Sequence, residues 1–438
     1  MSQLLSLPGE VLAAIVDNLG PSQDDFDNFY HRYMPDVSLY RLSQTCTTFR
    51  SICAPKLYEI CNIKTGSRTL RRSLAILRTL ATRPEIASRV KRIIVDAAFY
   101  VNASSVDEIV LSAEDAKLFN RVLEEKVDMS SVTPLCELRV TDSTELNGRD
   151  DIGDSLACVA FALVPNITSA IFLSYYASLE WTMTDSFPFL EAFSIQHADT
   201  ELGTDLESGK AVLLAAPNVR RLIGWSICSL ATAEYTSVKE VVLGYSGISD
   251  DEMVRLPVVF PNLERVSYTD GGPCVSEEPA ATPLAISNAL LGLRKTLKYA
   301  ELGAPYEKVS DGFYDIDDAD RYMESLAPMK VLESLRLQAL HIYNDDDNPQ
   351  EPPSTTELVH FLPTSIRRLC LEDVQSSKVD DVLALARSAR HKFPQLTHVT
   401  FPGLKKSMEE VVCNTYEGHG IKCSFKAEAV NDYACSCD

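Results

Sequence analysis

The chain has 438 residues, 45% hydrophobic and 24% charged, with 41 basic against 62 acidic side chains and a formal net charge of −21. That apolar fraction is ordinary for a folded protein and too high for a disordered one. The acid excess argues against non-specific nucleic-acid binding and against docking on an anionic membrane, leaving proteins or small neutral molecules as partners; charge alone favours a basic substrate surface.

In chain order, the first element is a short amphipathic helix beginning near Leu4 and closing at Gly20. Pro8 suits a first turn, Glu10 favours the positive end of the dipole, and Val11, Leu12, Ile15, Val16 and Leu19 form the apolar stripe. An irregular, aromatic-rich stretch follows from Gln23 to Tyr33. A second helix is expected over Pro35–Cys46 and a third over Thr48–Cys53, stopping at Ala54-Pro55. Three short helices bury little surface and need a partner or a neighbouring domain to cover them.

These residues carry a family resemblance. Leu7-Pro8-x-Glu10-Val11-Leu12-x-x-Ile15, Leu39-x-x-Leu42-x-x-x-Cys46-x-x-Phe49-Arg50-x-Ile52 and Pro55-x-Leu57-Tyr58 together resemble an F-box, covering about the first 60 of the 438 residues. The resemblance implies a three-helix motif over 1–62 that docks on the Skp-type adaptor of a cullin ubiquitin-ligase core. It places Leu7, Pro8, Val11, Leu12 and Ile15 at adaptor-binding positions. Leu39, Leu42, Cys46 and Phe49 match positions that pack together or face the adaptor. The stretch between Leu19 and Leu39 is longer than the family's usual turn. It leaves open whether Phe26, Phe29, Tyr30 and Tyr33 touch the adaptor, cap the motif or fold back.

Beyond residue 85 a strand-like triplet of apolar residues recurs. It starts at Val90, Leu135, Ile167, Leu190, Val238, Leu263, Leu297, Leu332, Ile366 and Leu396, with a degenerate copy at Val219 that breaks off at Gly224-Trp225. The triplet alone is weak, but Pro165-Asn166, Pro188-Phe189, Pro217-Asn218, Pro261-Asn262 and Pro394-Gln395 each stand directly before one, where proline ends a helix and starts an extended segment. Helical signals fill the gaps: Ser112-Ala-Glu114-Asp115, Ser249-Asp250-Asp251-Glu252, Asp380-Asp381 with Arg387 to Lys392 at the far end, and a capping box at Ser407-x-x-Glu410. Strand and helix alternating at roughly 20–45 residues per unit means right-handed crossovers and a parallel sheet.

Eleven like units exceed what a doubly wound sheet or barrel normally uses. The α/β segment 63–426 therefore resembles the irregular leucine-rich-repeat array that many fungal F-box proteins carry, a right-handed solenoid with its sheet on the concave face. Residues 427–438, including Cys435 and Cys437, read as a tail.

No catalytic constellation is visible. There is no phosphate-binding loop, no dinucleotide fingerprint and no His-Glu-x-x-His, and Gly244-Tyr-Ser246-Gly247 is followed by Ile248, so it is not a nucleophile elbow. The aspartates at 315–320 lack the glycine and the twelfth-position glutamate of a calcium loop, and Asp345 to Pro353 reads as a solvated loop. No metal or cofactor is expected. No apolar run of about 18 residues occurs that would span a membrane, and no basic stretch precedes the first apolar residues as in a secretory leader. The twelve cysteines are scattered and form no Cys-x-x-Cys pair. A reduced cytoplasmic or nuclear protein is expected.

The resemblance implies a non-catalytic substrate receptor that raises the local concentration of a bound protein near the ligase's active subunits. In such an array the side chains between the apolar strand positions face the substrate: Arg139, Arg265, Ser267, Glu301, Arg336, Gln338, Arg368, Glu372 and His398. Trp225 and Tyr268 are candidate anchors, since aromatic and Arg side chains dominate hot spots. A stand-alone protein-binding scaffold, capped by the N-terminal helices, and an α/β enzyme remain alternatives.

Overall fold

The structure, a computed structural model, describes residues 7–19, 37–64, 69–97, 111–128, 147–174, 182–183, 186–197, 203–271, 281–303, 320, 322–343 and 357–426. The aromatic stretch at 23–33, the triplet starting at Leu135 with Arg139, the Asp345 loop and the 427–438 tail lie outside them. The chain divides into two compact units, Met1–Glu191 with Leu214–Pro217, and Ala192–Leu213 with Asn218–Glu428.

The first unit opens with three helices, α1 (Gly9–Asn18), α2 (Val37–Ser43) and α3 (Thr47–Leu57). Pro8 precedes α1 in an extended conformation (φ −52°, ψ 145°) and acts as its N-cap residue. Its carbonyl accepts from the Val11 and Leu12 amides at 3.0 and 3.1 Å. Pro55 does not end α3 where expected; the helix carries it and runs on to Leu57. Two residues later the chain enters β1 (Ile60–Lys64), which pairs in parallel with β2 (Arg92–Asp96), and β2 pairs with β3 (Ser169–Ser174). Between them lie α4 (Leu70–Thr82), α5 (Pro84–Ala87), α6 (Ala113–Lys126) and α7 (Asn147–Leu163). Leu70, Leu74, Leu77 and Leu80 of α4 are buried at helical spacing.

The second unit carries nine strands in one parallel run: β4 (Ala192–His197), β5 (Arg221–Trp225), β6 (Glu240–Ser246), β7 (Arg265–Asp270), β8 (Tyr299–Gly303), β9 (Ser334–Gln338), β10 (Arg368–Glu372), β11 (His398–Thr400) and β12 (Lys422–Ser424). The helices among them include α8 (Asp250–Met253), α9 (Leu256–Val259), α10 (Pro283–Gly292), α11 (Glu357–Phe361), α12 (Val379–Lys392) and α13 (Lys406–Gly418). In each unit the spatial order of these strands is their chain order. Among the described residues neither therefore contains the order reversal that defines a doubly wound sheet. This is the strand order of stacked strand–helix repeats.

The triplets set the core. In β9, Leu335 and Leu337 are 1% and 0% exposed, while Ser334 and Arg336 between them remain half-buried. Each such leucine contributes roughly 1.5–3 kcal/mol of burial, and alternation fixes which face it serves. The prolines of the lead-in pairs sit in turns rather than opening the strands themselves. At each entry one carbonyl receives the next repeat: Lys298 donates to Glu264 O, Glu333 to Lys298 O and Arg367 to Glu333 O, all at 2.8 Å.

Acids at helix starts do more than complement the dipole. Ser112 caps α6 by accepting from the Asp115 amide at 3.1 Å, and Asp115 receives Arg78 of α4 at 2.6 and 3.0 Å. Asp250 accepts from the amide and hydroxyl of Thr282, at 2.6 and 3.0 Å, at the head of α10. Asp381 of α12 is buried and accepts from Tyr343 Oη at 2.7 Å and from the Leu358 amide of α11 at 3.0 Å. Each carboxylate bridges two successive repeats. The expected capping box at Ser407 does not form: α13 starts at Lys406 with Lys405 as its cap residue and no side-chain bond.

Candidate functional site

The N-terminal helices divide their apolar residues between core and surface. Leu12 and Val16 of α1, Leu39 of α2, and Phe49 and Cys53 of α3 are buried, and Leu42, Ile52 and Leu57 pack against the Val16–Leu39–Cys53 cluster. Cys46 is the N-cap of α3, its Sγ accepting from the Phe49 amide at 3.5 Å. Leu12, Leu39 and Phe49 are thus turned into the folded chain, Leu39 inside the cluster that joins the three helices.

What remains outside is a stripe. Leu7 is 37% and Val11 42% exposed, Ile15 is half-buried, and Pro8 is exposed beside them. Val11 and Ile15, one turn apart, share one side of α1, and Leu7 stands just before the helix, ahead of Pro8. Tyr40 of α2 is also exposed, at 57%. A cleft of about 530 Å³ lies between α1, α3 and the turn before β2, with Ala13, Val16, Ile52 and Pro55 on its walls and Lys56, Arg89 and Lys91 among its polar groups.

In the second unit, the residues alternating with the core triplets form the polar face of the sheet. Its first row runs in register from Ala192, Arg221 and Glu240 on β4–β6 to Arg265, Tyr299, Ser334, Arg368, His398 and Lys422 on β7–β12. The second row runs Ser267, Glu301, Arg336, Cys370, Thr400 and Ser424. Arg336 lies between two acids, with Nη1 at 3.1 Å from Glu301 and Nη2 at 2.6 Å from Glu372. Burial lowers the Arg336 pKa, but Glu372 and then Glu301 more than offset it, so the net shift is upward. Tyr299 donates to Glu301 at 2.7 Å, and the Arg265 guanidinium stacks over the Tyr299 ring at 4.6 Å. Cys370 beside them is pushed up to about 12, chiefly by burial, and is not a reactive thiolate.

A second ladder lines the strand entries, one residue earlier. Lys239, Glu264, Lys298, Glu333 and Arg367 alternate in sign. Glu264 lies 3.7 Å from Lys239 and 2.7 Å from Lys298, and Arg367 lies 3.8 Å from Glu333. The hydrogen bond from Lys298 holds the Glu264 carboxyl below its ordinary range. The sequence carried this signal: the residue after the first apolar position of each triplet reads Lys, Glu, Lys, Glu, Arg.

Two expected anchors are not on the surface. Tyr268 points into the core, 3% exposed, and donates to Ser246 O at 3.3 Å. Trp225 belongs to the outward row, yet it is 5% exposed and stacks on Tyr245 at a centroid distance of 5.4 Å. Its neighbours Ser194, Ile223 and Val242 on β4–β6 are equally buried. Of the expected substrate-facing residues, the structure gathers Arg265, Glu301, Arg336, Arg368, Glu372 and His398 on β7–β11. Arg368 and His398 are exposed, Glu372 is half-buried and Gln338 is buried.

No protein-family model matches the chain, and no curated protein matches it. Among the described residues no group of three His, Cys, Asp or Glu side chains is arranged to hold a metal ion, and no helix is long and apolar enough to cross a membrane.

Proposed function

We propose that the protein is the substrate-recognition subunit of a cullin-type ubiquitin ligase, an F-box protein whose second part is an irregular leucine-rich-repeat array. The Leu7–Val11–Ile15 stripe carries this proposal. It is an apolar strip on and just before α1, left uncovered on a small three-helix unit in which Leu12, Val16, Leu39, Phe49 and Cys53 are consumed in packing, and such strips mark protein interaction sites. The stripe falls on residues that match the F-box pattern. The parallel array beyond it supports a scaffold that presents a substrate, and catalysis belongs to other subunits. Its place of action is the cytoplasm or nucleus.

Co-expression with a Skp-type adaptor tests the proposal. A stable 1:1 complex that is lost on Val11→Asp, with the helices still folded, is the expected result. Absence of any complex refutes it. One observation favours a second reading, a stand-alone scaffold capped by these helices. The chain passes from α3 through Glu59 straight into the sheet, and Glu59 O accepts from the Lys91 and Arg92 amides at 2.9 and 3.0 Å. In that case the Val11 variant changes no partner binding.

A further inference from the structure

The sign of the polar sheet face runs against that of the whole chain. On a protein of net charge −21, the first row of β7–β12 holds Arg265, Tyr299, Ser334, Arg368, His398 and Lys422 and no carboxylate; the acid that follows Arg265 in register on β6, Glu240, lies 3.5 Å from Arg221. The acids on the next rows, Glu301 and Glu372, are both engaged by Arg336. Glu264 and Glu333, just outside the row, are paired with Lys239, Lys298 and Arg367. Arg265 and Arg368 are exposed and form no ion pair among the described residues, the Arg265 guanidinium carbon lying over the Tyr299 ring. A guanidinium braced on an aromatic ring keeps its donors directed outward at little entropic cost.

Adjacent strands lie about 4.8 Å apart, so six strands place this row over roughly 24 Å, the span of about seven extended residues. Arg368, His398 and Lys422 occupy three consecutive strands, within about 10 Å of one another.

From this charge complementarity we infer that the polar face of β7–β12 binds an acidic segment of a protein partner, its Asp and Glu side chains laid across the Arg265–Lys422 row. The inference rests on the array being a recognition surface and names the chemistry of what it recognises. It reverses the basic substrate favoured by net charge alone, because the local row, not the distant acidic surface, makes the contacts. The distant charge acts mainly on encounter and is screened over about 8–10 Å at physiological salt.

The probe is a fluorescein-labelled oligo-glutamate decamer, read by fluorescence polarisation on the full chain at low salt. Saturable binding that weakens with added salt is expected, with at least ten-fold weaker binding for Arg265→Glu/Arg368→Glu. Arg294→Glu/Lys295→Glu, an equal charge change at an exposed turn after α10, should leave it unchanged. If the double reversal fails to fold, as judged by circular dichroism, Arg265→Gln/Arg368→Gln carries the same comparison. No saturable binding, binding by the double variant within two-fold of the parent, or equal binding of a charge-matched DNA oligonucleotide overturns the inference. Adaptor capture is scored separately. Oligo-glutamate binding without an adaptor complex refutes the ligase proposal and keeps this one, and the converse result does the reverse.

Discussion

Replacing Asp381 by Ala should unlock the repeats on either side of it. The carboxylate is 3% exposed and receives two donors, Tyr343 Oη at 2.7 Å and the Leu358 amide at 3.0 Å. Removing it strands both, and an unsatisfied buried donor costs about 1–3 kcal/mol, so the pair is worth about 2–6 kcal/mol. Because repeat arrays open locally, the assay is amide hydrogen exchange rather than a single melting temperature. The lower bound of about 2 kcal/mol corresponds to roughly thirty-fold faster opening at Leu358. Asp381→Asn keeps an acceptor and the side-chain volume, and should stay within about 1 kcal/mol of the parent.

The pH dependence carries a sign. Burial raises the Asp381 pKa above its ordinary 3.8, the bonds from Tyr343 and Leu358 only partly opposing it. A group with a raised folded-state pKa contributes stability that is full below the unfolded value and lost as pH rises through the folded one. The parent should therefore lose stability relative to Asp381→Asn as pH rises above about 4. An Ala variant whose Leu358 amide exchanges at the parental rate would refute the bridging role.

Asp115 titrates in the opposite sense: the hydrogen bond from Arg78 holds its carboxyl below the ordinary 3.8. That contribution is present above the ordinary value and disappears as pH falls through the lowered one. Asp115→Asn should lower the melting temperature near pH 7 and make no difference near pH 2. The effect should be modest, about 1 kcal/mol, because Arg78 is half exposed and solvent screens the pair. Gly403→Ala should destabilise the last repeats by at least about 1–2 kcal/mol. Gly403 has φ +77°, and an added Cβ would collide with the Asp373 carboxylate; limited proteolysis of the 398–426 region reads the loss.

The core positions of the array were legible because the triplet is a burial pattern. Every copy within the described residues has its strand, from β2 to β11. Two strands of this parallel run were missed. β1 (Ile60–Lys64) follows directly on the three-helix motif in the chain and was absorbed into it, and β12 has three residues, too few to show a period. The apparent break at Gly224 misled in a different way. β5 runs through it in regular register, since a Cβ there would strike Ile227 and crowd Leu243. Glycine marks a tight approach there, not an interruption.

The candidate surface was only half legible. Spacing on α1 distinguishes one helical face from another but not which is covered, and packing against α3 chose Leu12 over Val11 for the interior. The same limit misplaced Trp225 and Tyr268, whose burial depends on neighbouring repeats. The cation excess on the polar face emerges only when strands far apart in sequence are set in register.

The most direct test is a pull-down of the full chain by a co-expressed Skp-type adaptor, comparing the parent with Leu7→Asp/Val11→Asp. Both positions are more than a third exposed, so circular dichroism should not change, whereas Leu12→Asp, at 3% exposure, should unfold the helices and serves as the contrast. A 1:1 complex with the parent, lost with the folded double variant, is the predicted result. A parent that captures no adaptor, or a double variant that captures it as well as the parent, would contradict the assignment.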